Sequence, residues 1–385
     1  MSSRFIQIHW LASYPATLLN RDDAGLAKRI PFGGSVRSRI SSQCLKRHWR
    51  VAGQSSIEAS KAHPWALANV GVPTGSRSKE VIERKILPGA VAGLEPSQEA
   101  IDAAKTVLVE NLYGSKAGDI KQRQALFFGD PEVAYLIKRT RQALEQGDPA
   151  AVTETLKAFF KDERANLRAL KHGAGLETAL FGRMVTADPE SNRDAAIHVA
   201  HALSVHAIER ELDFMAVVDD LKREDKDSDA GAAGVFDMEL ASGLYYGYTV
   251  VDVPLLVANL ADDAESAAKV VEHLVHLIAD VSPGAKKGST APYSYAEFML
   301  IEAGDRQPRT LANAFRQALK ARDRDPAEAA ISALANHLAR MDKAYQTDER
   351  RHQLTVLDAM IPDCEAVSLD ELAQFAGSEV GAAQT

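Results

Sequence analysis

KRIPFGGSVRSRISSQCLKRHWR, residues 28–50, carries seven lysines and arginines (Lys28, Arg29, Arg37, Arg39, Lys46, Arg47, Arg50) and no aspartate or glutamate. The pair Gly33-Gly34 marks a turn, and Val36–Ile40 alternates as a short strand does. Ser41 or Ser42 then offers a capping hydroxyl to a helix that runs to about Ala52. The segment is therefore predicted to be a strand feeding a helix. On that helix Gln43, Lys46, Arg47 and Arg50 recur at i, i+3, i+4 and i+7 and share one face, while Leu45 and Trp49 point elsewhere. Arg37 and Arg39, two apart, are expected on one strand face, and Ser41 and Ser42 place hydroxyls and amides at a helix start. Arginine forks, lysine charges and helix-start amides all donate to phosphate oxygens, so the pattern suits a nucleic-acid backbone. A solvated face is the plainer reading of any basic stripe; the absence of a neighbouring carboxylate tips the balance the other way.

The rest of the chain is acidic. Across 385 residues, 45 Lys+Arg face 53 Asp+Glu, a net charge of −8 that would argue against a polyanionic partner if charge were spread evenly. It is not, and the local excess at 28–50 is what a phosphate strand would meet. The length favours two or three compact units. With 46% hydrophobic and 25% charged residues, the composition excludes disordered and fibrous classes. No apolar run reaches about 18 residues and no signal-peptide pattern opens the chain, so a cytoplasmic protein is expected. Cys44 and Cys364 are too far apart in sequence for a C-x-x-C pair, which removes a zinc ribbon and a disulfide framework.

Upstream, FIQIHWLASY at 5–14 alternates with Ile6, Ile8 and Trp10 on one side and reads as a core strand. A loop with Pro15, Asn20, Arg21, Asp22 and Asp23 links it to the basic segment. From about 58 to 175 helix formers dominate, broken at turns such as Gly147-Asp148-Pro149, which predicts a helical insertion. Strands are expected at Leu176–Thr186, Val235–Val251 and Tyr293–Ala303, and helices at Arg193–Ile208, 263–280, 309–322 and 327–345, with a last one capped by Ser368. KREDKDSDAGAAG at 222–234 is too polar for core and should project into solvent. Strands flanking an inserted helical unit describe an α+β fold.

Other groupings weaken under inspection. Lys157, Lys161, Arg164 and Arg168 form a second stripe, but Asp162 and Glu163 sit beside it, as on an ordinary exposed face. Asp22-Asp23 and Asp219-Asp220 could hold a metal for phosphodiester cleavage, yet neither has a D-x-D or H-x-x-E companion. His198, His201 and His206 lack an acidic helper in a zinc-motif position, so no metal is assigned. GAKKGST at 284–290 misses the G-x-x-x-x-G-K-[ST] register, which disfavours nucleotide hydrolysis, although Lys286 and Lys287 could touch a backbone. Phe214 and Met215 stand at the root of the polar tip, either as core or as an apolar wedge between bases.

Taken in order, LLNRDD at 18–23, FGG at 32–34, RISSQ-x-LKR at 39–47, GRM at 182–184, VDDL at 218–221, PGAK at 283–286 and LANAF at 311–315 resemble the CasC (Cas-seven) family, the backbone subunit of the type I-E CRISPR Cascade complex. The likeness runs along essentially the whole chain. It implies an α+β hand: an RRM-like (ferredoxin-like) palm from 1–57 and 176–385, a helical finger domain at 58–175 and a projecting thumb hairpin at about 209–241. It implies several copies polymerised along a guide crRNA, each thumb kinking the strand beside a neighbour, with target DNA and the subunits CasA, CasB, CasD and CasE as further partners. RNA contacts carry over to Arg21, Ser41, Gln43, Lys46, Arg50 and Met184, and the thumb wedge to Phe214 and Met215; Arg37, Arg39, Ser42 and Arg47 join them from the basic segment itself. Target-DNA lysines correspond to Lys28, Lys320 and, substituted, Arg322, with Lys157 and Lys161 as further candidates. The tip departs most, with alanine at 216 and a longer charged stretch. No cofactor is implied and no catalysis; the competing class is a metal-dependent ribonuclease of the same superfamily using Asp22 or Asp23.

Overall fold

A computed structural model describes residues 3–52, 63–114, 117–168, 170, 173–186, 188–217, 234–320 and 325–381. They form two compact units, one of 1–66, 199–250 and 271–385, the other of 67–198 and 251–270. The first is built on a mixed sheet. Strand β1 (Phe5–Thr17) lies near its centre, buried along most of its length, between strands Phe298–Gly304 and Gly234–Asp252. Beyond Phe298–Gly304 come Arg350–Thr355 and the short Glu365–Ala366, which pairs parallel to it; β1 with Phe298–Gly304, and Phe298–Gly304 with Arg350–Thr355, pair antiparallel. On the opposite side the order is Ala202–Ser204, then β3 (Ser35–Ile40), then β2 (Arg29–Phe32) at the edge.

The alternation expected in β1 is present, and a central strand buries both of its faces. Phe5 and Leu11 join Tyr246, Tyr248, Phe298 and Leu300 in one core with Ile331, Leu334 and Leu338 of helix Pro326–Tyr345. Each such side chain contributes about 1.5–3 kcal/mol on burial. Ile6, Ile8 and Trp10 are buried on the other face, and Trp10 lies so close to strand Gly234–Asp252 that a Cβ at Gly247 would stand 1.9 Å from its ring. Glycine is required there by space. Strand Glu209–Val217 forms a hairpin arm with Gly234–Asp252, in register from Glu209 opposite Ser242 to Val217 opposite Gly234.

The second unit packs helices Gln98–Leu112, Asp130–Leu144 and Pro149–Asp162 around Leu108, Leu136, Val152 and Leu156, and carries a two-stranded ladder of Gly75–Ser78 with Leu126–Gly129.

Three local expectations are corrected. Leu176–Thr186 is not a strand: Leu176–Phe181 is a helical turn and a half, favoured by Leu, Glu and Ala and bounded by Gly175 (φ 81°) and Gly182 (φ 76°). Arg193–Ile208 is not a helix but two three-residue strands, Ile197–Val199 and Ala202–Ser204, because the second is claimed by the ladder of β3 and Gly234–Asp252. Of the helix expected at 309–322, the described residues 309–320 form only a 3₁₀ turn, Ala312–Phe315, because the Phe315 and Arg316 carbonyls that would propagate a helix accept from the Arg37 guanidinium instead.

Candidate nucleic-acid interface

The hairpin of β2 and β3 turns through Gly33 and Gly34, and a Cβ at Gly33 would stand 1.5 Å from the Arg316 carbonyl oxygen, which explains FGG physically. From that hairpin the chain enters helix α1 (Ser42–Arg50) through an N-cap at Ser41, whose hydroxyl accepts from the Cys44 amide. Leu45 and Trp49 anchor the helix in the interior. That orientation leaves Gln43 and Arg47 exposed and Lys46 and Arg50 half-exposed, as the i, i+3, i+4, i+7 pattern requires. The last turn carries Arg47, His48 and Arg50, cations placed where the helix dipole is negative.

The preceding loop is fastened to this helix. Asn20 accepts the Ser41 amide through Oδ1 (2.9 Å) and the Lys28 amide through its carbonyl (2.8 Å), and the Lys28 carbonyl accepts the Arg39 amide (2.8 Å). Asp22 Oδ1 accepts the amides of Ala24 and Leu26, both at 3.0 Å. Asn20 and Asp22 thus shape the loop, and Arg21 is left exposed. A third segment joins at the far end: the Ala285 amide donates to the Leu18 carbonyl (2.9 Å), setting exposed Lys286 and Lys287 beside the same loop. Burial holds the His48 imidazole below its ordinary pKa; backbone acceptors at Cys44 and Gly284 oppose this, and the nearby Lys287 and Arg47 charges reinforce it. Among the described residues Arg21, Lys28, Arg39, Arg47, Lys286 and Lys287 form no ion pair.

His201 is a member of this site that sequence reasoning weighed only as a metal ligand. Its Nδ1 accepts the Ser42 amide at 2.9 Å, so the neutral ring carries its hydrogen on Nε2. Burial lowers its pKa, and the charges of Arg39, Lys28 and Lys46 lower it further. A neutral imidazole keeps the helix start in place inside a cationic surround.

Two of the seven cations are answered within the fold. Arg37, expected beside Arg39 as a donor to RNA, is fully buried; its guanidinium donates to the carbonyls of Ser204 (3.0 Å), Phe315 (2.8 Å) and Arg316 (3.5 Å). Arg29 is paired with buried Glu239 at 3.0 Å. Ser41 and Ser42 are buried too, their amides taken by Asn20 and His201.

Elsewhere, Phe214 is 69% exposed on the hairpin arm, with Leu212 two positions away and 64% exposed, so the reading of Phe214 as core is set aside. Met215 stands opposite Phe236 in that ladder. Met184 is 71% exposed in the second unit, while Arg183 beside it is tied to Glu132 at 2.8 Å. Lys320, Lys157 and Lys161 are exposed, the latter two on Pro149–Asp162; Arg168 is paired with Asp188 and Glu190. Asp219-Asp220, all of the 222–234 tip but Gly234, and Arg322 lie outside the described residues. Residues 287–290 make one helical turn. His198 and His206 are held by backbone groups, His198 by the Ala195 carbonyl and His206 by the Ala207 carbonyl and the Leu244 amide. Among the described residues no group of three or more His, Cys, Asp or Glu side chains is placed to hold a metal, and no helix is long and apolar enough to cross a membrane. Burial pushes the thiols of Cys44 and Cys364 up to about 11, which keeps both protonated.

The family described as CT1975-like protein matches residues 6–376. No curated protein matches the chain. Among solved structures, a chain of a "CRISPR RNA-guided surveillance complex, pre-nicking" superposes with a TM-score of 0.76 at 24% identity, covering 98% of this chain and 100% of that one. A chain of a second "CRISPR RNA-guided surveillance complex" gives 0.60 at 22% identity, over 98% and 99%. These likenesses extend the same mixed α+β fold along nearly the full length.

Proposed function

The chain belongs to the CT1975-like protein family, and from that premise we propose that it is a CRISPR guide RNA-binding backbone subunit of the CasC kind. In this reading copies of the chain line up along a crRNA in a cytoplasmic type I-E Cascade and present it to target DNA beside CasA, CasB, CasD and CasE. The sheet-bearing unit acts as an RRM-like palm, the helical unit as the finger and the Glu209–Val217 arm as the thumb.

One observation carries the proposal. Arg21, Lys28, Arg39, Lys46, Arg47 and Arg50, with Lys286 and Lys287, gather around one capped helix start, and among the described residues Arg21, Lys28, Arg39, Arg47, Lys286 and Lys287 meet no carboxylate. Backbone phosphates supply the missing counter-charge without reading sequence, which suits a protein whose specificity is delegated to guide pairing. Met184 and Phe214, exposed and apolar, are proposed as base contacts, with Met215 next along the thumb; Lys28, Lys320, Arg322, Lys157 and Lys161 are the residues proposed for target DNA. The protein is proposed to be non-catalytic. Asp22, the rival's nucleolytic candidate, already holds two loop amides.

The test is Lys46→Ala with Arg50→Ala, read as single-stranded RNA affinity across a salt series. Each lost phosphate contact removes about 0.7 from the slope of log K against log salt, and affinity is read per folded molecule. Weaker binding with a flatter slope is expected. An unchanged slope would show a merely solvated face, and magnesium-dependent cleavage of bound RNA that Asp22→Ala or Asp23→Ala abolishes would replace the scaffold with a ribonuclease.

A further inference from the structure

The loop between helix Ala264–Asp280 and strand Phe298–Gly304 holds two tyrosines in water. Tyr293 is 72% and Tyr295 74% exposed, although an aromatic ring is among the costliest apolar surfaces to leave solvated. The backbone that carries them is firmly held. Ser282 Oγ accepts the Ser294 amide (2.9 Å) and donates to the Ser294 carbonyl (2.8 Å), the Tyr293 amide donates to the Ala291 carbonyl (2.7 Å), and the Ala296 amide donates to the Ala279 carbonyl (2.7 Å). The Pro292 ring packs against Gly284, where a Cβ would stand 2.6 Å from Cγ. The rings are therefore presented by the fold.

Their surroundings identify an occupant. Lys287 Nζ lies 5.8 Å from the centroid of the Tyr293 ring, so the aromatic face is already polarised by a cation. Lys286 and Lys287 sit on the loop whose Ala285 amide is bound to the Leu18 carbonyl, two residues before Asn20, which caps the approach to α1. Lys286 and Lys287 thus link the approach to α1, through the Leu18 contact, with the exposed Tyr293 ring. Cations interleaved with exposed aromatics are the composition of single-strand tracks, in which the charge follows phosphates and each ring takes one base face.

We propose that Tyr293 and Tyr295 form a stacking site for unpaired bases of the single-stranded nucleic acid bound along α1, with Lys287 fixing the adjacent phosphate. This rests on the RNA-binding reading above. Since neither ring carries charge, their contribution should be insensitive to salt, in contrast with that of the α1 face.

The experiment uses the full chain and a single-stranded RNA oligonucleotide bearing 2-aminopurine. Tyr293→Ala alone should lower affinity roughly 5- to 150-fold, the range that stacking of one base on an aromatic ring implies, and Tyr295→Ala added to it should lower affinity further, with the salt slope unchanged. Quenching of 2-aminopurine on binding should diminish in the alanine variant and return in Tyr293→Phe with Tyr295→Phe, which keeps the rings. Unchanged affinity and quenching in the alanine variant, while Lys46→Ala with Arg50→Ala still weakens binding, would overturn the stacking site and leave the RNA track standing. Loss in neither variant would remove the track itself. Altered self-association without RNA, at unchanged RNA affinity, would assign the tyrosines to a protein contact and also overturn the proposal.

Discussion

Arg309 and Arg351 around Glu302 and Arg39 and Arg47 around α1 carry the same charge and meet opposite fates. In the interior, Glu302 is fully buried and fully engaged: Arg309 grips both carboxylate oxygens at 2.9 and 3.0 Å, Arg351 Nε adds a third contact at 2.7 Å, and His9 Nε2 a fourth at 3.1 Å. Arg351 also holds Asp342 with two bonds of 2.7 and 2.8 Å. Tyr246 meets His9 Nδ1 (2.8 Å), and the Gln7 side chain accepts from the Arg309 amide (2.8 Å). Around α1, Arg39 and Arg47 meet no carboxylate among the described residues, and their partner is left to come from outside. Arginine content therefore says little; whether a carboxylate answers it distinguishes a structural cation from a binding one.

The comparison breaks most visibly at Glu302. Glu302→Ala leaves two arginines and a histidine buried without their anion, and loss of one partner from such a cluster costs about 3–5 kcal/mol. Denaturant midpoints should fall accordingly, while RNA affinity per folded molecule stays put. Acid should act in the same direction. Burial would raise the Glu302 carboxyl, but His9 and the arginines outweigh it and hold it far below its ordinary 4.5. Burial likewise lowers His9 below its ordinary 6.5. In both cases the unfolded chain binds the proton first, so stability is full above the unfolded value and declines as pH falls through the window beneath it. The decline should begin near 6.5 from His9, and Glu302 should add to it below about 4.5. A stability flat from pH 7 to 4 would remove this account.

How much of this is legible in sequence depends on how far apart the partners lie. The α1 face and its Ser41 cap are set by residues within a few positions of one another, and they stand where the sequence places them. Arg37 is not readable in that way: period-two alternation puts it with Arg39, but its acceptor at Phe315 comes from 278 residues away. Glu239, which neutralises Arg29, is 210 residues distant, and His9 and Glu302 are separated by 293. An absence of local carboxylates therefore identifies the region as basic without saying which cations remain on its surface. The misread stretch at Arg193–Ile208 follows the same rule, since alanine-rich sequence favours helix until the neighbouring strands capture it.

Arg37 provides the next sharpest test. Arg37→Ala orphans buried carbonyls of Ser204 and Phe315, each worth about 1–3 kcal/mol when unsatisfied, so a loss near 3 kcal/mol is expected by chemical denaturation. The salt slope of RNA binding by the folded fraction should be unchanged. A slope reduced by about 0.7 would mean that Arg37 reaches phosphate after all and that its burial is relieved on binding.

Phe214 gives the smallest stability effect and separates the two regions from the apolar side. Its ring is 69% exposed on an arm whose backbone is secured by register with Gly234–Asp252, so removal opens no cavity. Phe214→Ala should leave the unfolding free energy within about 0.5 kcal/mol. RNA binding by the assembled complex should weaken by about 1–3 kcal/mol for the one base it contacts, and the salt slope should be preserved, because no charge is lost. Melting of the free subunit, measured beside RNA affinity at two salt concentrations, resolves the outcomes. A ring that packs into a neighbouring copy would lower assembly and leave RNA affinity of the free subunit intact. A large drop in melting temperature would return Phe214 to the interior and leave the α1 cations as the principal grip on RNA.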